Sequence, residues 1–154
     1  MSHVSDNIRA FFDDFNQANN AFDPDLLAPQ VSDPLVGADP NGVTQVISKE
    51  DYLAGVAKSQ EYLQSLGFEF VKVVPVEEIP LSAHYTLVKR KGTMRLEKIP
   101  GRAIDLAHDA AYILFITEGK PRIVFVLSHE DPMKMAHDQH GFVYEGQRSW
   151  DKTP

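Results

Sequence analysis

The run RAIDLAHDAAYILFIT (residues 102–117), the turn pair Glu118-Gly119 and the run KPRIVFVLSHE (residues 120–130) decide the fold of this chain. Both runs are rich in β-branched and aromatic residues, and a Glu-Gly pair between such runs reads as a turn, so they form two successive antiparallel strands. Each carries apolar residues on both faces. In the first, Ile104, Leu106, Tyr112 and Leu114 oppose Ile113 and Phe115, and in the second, Ile123, Phe125 and Leu127 oppose Val124 and Val126. Strands of this kind sit in the middle of a sheet and are covered on both sides. Upstream, residues 68–76 and 82–97 have the same character, and Pro75, Pro80 and the stretch Lys98-Ile99-Pro100-Gly101 separate them. Four such runs with short connections predict an antiparallel meander. Two of them reach about 15 residues against the usual 5–6, which requires a strong bend or bulges. Gly92 and the segment 107–111 are the expected places.

Toward the N-terminus the period changes from two to 3.6. Ile8, Phe11, Phe12, Phe15 and Ala18 recur at helical spacing while Asp6, Arg9, Asp13, Asp14 and Gln17 fall elsewhere, an amphipathic helix over Ser5–Asn19. Ser5 or Asp6 can cap it. Asp23-Pro24 starts a second short helical turn that stops by Pro29. Residues 31–48 give two short β-favouring runs around Asp39-Pro40-Asn41-Gly42, read as a short hairpin or an extended loop. Ser48 and Asp51 form a capping box for the longest helix, which runs through Tyr52, Leu53, Val56, Leu63 and Leu66 to a stop at Gly67. The expected architecture is one α+β domain over residues 1–154: N-terminal helices packed on a strongly bent antiparallel sheet.

Composition narrows the function. The chain has 154 residues, no cysteine and a formal net charge of -7, with 10 acids and 3 bases before residue 67 and 12 of each after it. Absence of cysteine excludes disulfides, thiolate metal sites and cysteine nucleophiles. A negative chain without a basic stripe is a poor nucleic-acid binder. The start MSHVSDN has no signal-peptide pattern, and no stretch approaches the ~18 apolar residues of a membrane span, so a cytoplasmic protein without membrane contact is expected. No phosphate loop, dinucleotide fingerprint or Gly-x-Ser-x-Gly elbow occurs, and no cofactor is implied.

Three histidines, His84, His108 and His129, fall within expected strands, where each side chain either exchanges protons in a pocket or is a satisfied buried group. Asp105 and Asp109 are expected to pair with Arg90, Arg95 or Arg122. His129, Asp131, His137 and His140 place imidazoles and a carboxylate within a dozen residues, but match no metal-site spacing; a solvated tail is the expected reading and no metal is assigned.

The order of elements, with HYTLV (84–88) and RIVFVLSHED (122–131), resembles the nuclear transport factor 2-like superfamily, in particular its SnoaL-like branch. The resemblance covers nearly the whole chain. It implies a cone-shaped, cystatin-like α+β roll whose helices close over the concave face of the sheet, an apolar pocket inside, and a homodimer through the outer face. It further implies binding of a small, mostly apolar or aromatic molecule. Whether that molecule is turned over stays open between cofactor-free acid/base chemistry of isomerase, dehydratase or cyclase type and a non-catalytic ligand-binding or dimeric assembly module. For the first, the resemblance points to His129 and Asp131 near the end of the sheet, with Asp33, or Asp39, in the early extended segment and His84 as further candidate acid/base residues. Phe15, Tyr52, Tyr85, His108 and Tyr112 are the candidate substrate-binding residues. Steroid-isomerase relatives carry a tyrosine on the first helix where this chain has Phe11, Phe12 and Phe15, a departure that speaks against their chemistry. A cone plugged by these rings and Phe68 would favour the non-catalytic reading.

Overall fold

A computed structural model describes residues 4–129. Helix α1 spans Asp6–Ala21; the Ser5 hydroxyl accepts from the Ile8 amide and caps it, and its buried stripe is Ile8, Phe11, Phe12, Phe15 and Ala18. α2 is the single turn Pro24–Leu27, capped by Asp23, and a 3-10 turn at Ala28–Gln30 follows it. Strands β1 (Val31–Ala38) and β2 (Thr44–Ile47) form a hairpin, the first of the two readings of this stretch. Its turn is tied by the Asp39 carboxylate, which accepts from the amides of Asn41 (2.8 Å) and Val43 (3.0 Å). α3 covers Lys49–Ser65 behind its Ser48 cap. It ends at Gly67, where φ is +76° and a side chain would run into the backbone of Glu97.

The remaining strands are β3 (Phe68–Pro80), β4 (Tyr85–Leu96), β5 (Ile104–Ala107), β6 (Ala110–Thr117) and β7 (Lys120–Ser128). They join β1 and β2 in one curved seven-stranded sheet of order β2-β1-β7-β6-β4-β3, with β5 also paired to β4. The meander is as expected and β6 and β7 are central. Three features differ from expectation. First, the sheet is mixed, because β1 lies parallel to β7; a parallel pair needs a long crossover, and local sequence does not encode which distant strand closes it. Second, β3 continues through Pro75 to Pro80 with a bulge between Pro75 and Glu77. Proline is tolerated because β3 is an edge strand. Third, the run 102–117 breaks at His108-Asp109 into β5 and β6. The register carries across the break unshifted, with Thr93 opposite Ala107 on one side and Arg90 opposite Ala110 on the other. The interruption lies inside the expected segment 107–111, opposite Gly92, and the His108 amide still donates to the Gly92 carbonyl there.

The inner face of the sheet buries two apolar clusters. The larger joins α1 to Leu35, Ile47, Val73, Val88, Tyr112, Leu114 and Ile123. The smaller holds Leu66, Leu96 and Leu106. Among the described residues no helix is long and apolar enough to cross a membrane.

Candidate functional site

Alternation along β4 puts Thr86, Val88, Arg90 and Gly92 on the inner face and Leu87, Lys89 and Lys91 on the outer. Arg90 is thereby only 8% exposed, and among the described residues no other arginine or lysine is buried. It lies with His108, also 8% exposed, in the seam between the two apolar clusters, since His108 stands between Leu106 of one and Ala110 of the other. The guanidinium carbon is 5.0 Å from the centroid of the Tyr112 ring. Nη1 donates to the His108 carbonyl and lies 2.9 Å from His108 Nδ1. A guanidinium only donates, so Nδ1 is the acceptor and the ring proton sits on Nε2. The His108 amide donates to the Gly92 carbonyl at 2.9 Å. A Cβ at position 92 would overlap both the His108 ring and Arg90 Nη1, so glycine is what lets the pair lie flat on the strand.

The electrostatics of this pair are lopsided. Among the described residues the ion pairs are Lys89–Glu77 and Arg95–Asp105; neither involves Arg90. Its Nε is buried with no hydrogen-bond partner. Tyr112 packs on Phe12 (stacked, 6.1 Å) and Phe15 (edge-on, 6.0 Å), and Phe15 stacks on Phe11 at 6.0 Å. The part of the cone under α1 is filled by these rings. Phe68 takes no part in that plug; it pairs with Phe22 at 5.0 Å beside the smaller cluster. By contrast, Tyr52, Leu53, Val56 and Tyr62 on α3 are only half-buried. Two open grooves of about 530 and 410 Å³ flank the outside of α1, and Arg90 and His108 line neither.

The structure does not gather the expected acid/base residues. None of the three histidines lies inside a strand. His84 is exposed in the bend before β4, with Nδ1 3.2 Å from the Ile116 carbonyl. His129 is exposed just past β7, its amide donating to the Asp109 carbonyl. Those two carbonyls lie at opposite ends of β6, roughly 23 Å apart at ~3.3 Å per residue. Asp33 is exposed and accepts from the Lys49 amide at 3.1 Å, which fastens β1 to the start of α3. Asp131 and the expected His137 and His140 lie outside the described residues. Of the expected binding residues, His108 and Tyr112 contact Arg90, Phe15 packs edge-on against Tyr112, and Tyr52 packs against the larger cluster from α3. Tyr85 stands 41% exposed on the outer face against Phe115. Asp105 does pair with an arginine, Arg95, directly opposite on β4. Arg90 as a buried group was missed. Its signal is the pattern TLVKRKG (86–92): Lys89 and Lys91 must face water, which turns Arg90 inward beside Gly92.

Helices lie over one face of a curved sheet, with a polar pair buried between two apolar clusters, in an α+β domain. No family model matches the chain, and no curated protein matches it. Solved structures do. An NTF2-like protein of unknown function from Shewanella oneidensis MR-1 superposes with a TM-score of 0.63 at 18% identity, over 81% of this chain and 98% of that one. A ketosteroid isomerase-like protein from Erwinia carotovora atroseptica SCRI1043 gives 0.56 at 19% identity, over 79% and 92%. A domain of unknown function with a cystatin-like fold from Nostoc punctiforme PCC 73102 gives 0.63 at 14% identity, over 91% and 87%. The fold is NTF2-like.

Proposed function

We propose that the chain is a small-molecule-binding domain of the SnoaL-like kind, whose ligand enters the seam of the inner face and meets Arg90, His108 and Tyr112. The observation that carries this reading is the buried guanidinium of Arg90, beside an imidazole and with no carboxylate partner among the described residues. Such groups are expensive to bury without a purpose and mark binding sites. The ligand is mostly apolar, because the seam is walled by Val88, Tyr112 and Leu106, and it carries a carbonyl or hydroxyl that Arg90 and His108 can bond. Where that ligand is turned over, the chemistry is cofactor-free proton exchange at His108, the one described histidine on the inner face. Fluorescence titration with acetylnaphthalene, a neutral aromatic ketone, tests the site. Saturable one-to-one binding that weakens about tenfold in His108→Leu is expected, the size of one lost hydrogen bond. Binding that is as tight in His108→Leu as in wild type would defeat the placement of the site at His108.

A second reading, a dimeric assembly module, is favoured by the outer face. Register places Val46, Val36, Phe125, Ile113, Leu87 and Ile79 side by side, one on each strand from β2 to β3. This apolar row crosses the whole sheet, about 24 Å at ~4.8 Å per strand. A second copy laid on it would cover the other side of β6 and β7. The two readings are compatible, since they use opposite faces.

A further inference from the structure

We infer that Arg90 anchors an anion, and that the ligand of the inner face is an amphiphilic organic acid whose carboxylate pairs with this guanidinium. The inference rests on the small-molecule reading above and sharpens it. Among the described residues every partner of Arg90 is uncharged: the His108 carbonyl, His108 Nδ1 and the face of Tyr112. His108 cannot compensate, because an imidazole is either neutral or cationic and never supplies the opposite charge. A guanidinium that is more than nine-tenths buried therefore keeps its full charge with no opposite charge within 4 Å among the described residues, and with Nε still lacking an acceptor. The group that completes such a site is a planar, doubly accepting anion, the partner for which the guanidinium fork is built. Cation-π contact with Tyr112 holds the plane of the fork in place, and the bare Cα of Gly92 leaves the pair undisturbed. Partly buried apolar side chains packed against the two clusters, among them Met94 on β4 and Tyr52 on α3, offer surface to the rest of the molecule, which a simple inorganic ion would leave unused.

Calorimetric titration of the full chain with phenylbutyrate and with its uncharged amide, phenylbutyramide, separates charge from shape. The acid is expected to bind at least about tenfold more tightly than the amide, an advantage that nearly disappears in Arg90→Gln and survives in part in Arg90→Lys, which keeps the charge and loses the fork. Lys89→Gln, on the outer face, leaves it unchanged. Equal binding of acid and amide overturns the anion anchor while leaving the small-molecule reading intact. An acid preference that persists in both Arg90 variants also overturns it, because the charge then comes from elsewhere. Binding of neither probe, together with none for acetylnaphthalene, removes both. Should Arg90→Gln fail to fold, the Arg90→Lys variant and the wild-type acid/amide ratio still decide.

Discussion

At the residue scale, the space a side chain would need at Gly92 is already taken. The His108 ring and Arg90 Nη1 lie where its Cβ would stand, so Gly92→Ala must push aside a ring held by its own backbone bond to residue 92. A loss of about 1–3 kcal/mol in urea unfolding is expected, the usual size of overpacking. An unchanged midpoint would mean that the pair repacks freely. Arg95 and Asp105 give the opposite case, an ion pair in water. The bidentate hydrogen bonds from Arg95 hold the Asp105 carboxyl below its ordinary value. A folded pKa below the unfolded one stabilises at pH above the unfolded value, and this is lost as pH falls through the folded value. Urea midpoints of wild type and Asp105→Asn should therefore coincide in acid and separate slightly as pH rises, with the gap closing in high salt. A gap that persists in acid would contradict that sign.

At the element scale, α1 does more than cover the sheet; it replaces a missing strand. Asn16 Nδ2 donates to the Val73 carbonyl (2.8 Å) while the Val73 amide donates to Asn16 Oδ1 (2.7 Å). Asn20 repeats this pairing with Val71 at the same two distances. Two side-chain amides one helical turn apart thus imitate the backbone of a neighbour for edge strand β3. Asn16→Ala leaves the part-buried amide and carbonyl of Val73 unpaired and should destabilise by about 1–3 kcal/mol. Asn20→Ala acts at an exposed position, where water replaces the lost partner, and should cost less. Equal losses in urea unfolding would refute the burial argument. Nothing local announces this role, because Asn16 and Asn20 read simply as the polar side of an amphipathic helix. The stripe Ile8, Phe11, Phe12, Phe15 and Ala18, by contrast, was fully legible from spacing alone; the Asp23 and Ser48 caps were legible from residue type, and the structure chose Ser5 over Asp6.

At the scale of the whole molecule, the row from Val46 to Ile79 leads to a prediction about assembly. Light scattering should give twice the chain mass, and Phe125→Lys, placed in the middle of the row, should give a folded protein of single chain mass. A monomeric wild type would remove the assembly reading and leave the inner face untouched. The apolar residues on both faces of β6 and β7 already placed these strands at the centre. Their neighbours were another matter, since β1 and β7 are joined across more than eighty residues of intervening chain.

Periodicity, caps and turn residues by themselves determined the helices and the meander, because each depends on residues within a few positions of one another. Tertiary structure alone decided the parallel closure of β1 on β7, the asparagine clamp on β3 and the site. His84 and His129 are alike in sequence yet end at opposite ends of β6, on the water side, while Arg90 is drawn into the seam. Those outcomes depend on which face of a strand the helices cover and on which groups lose water together, and both are set only when distant segments meet.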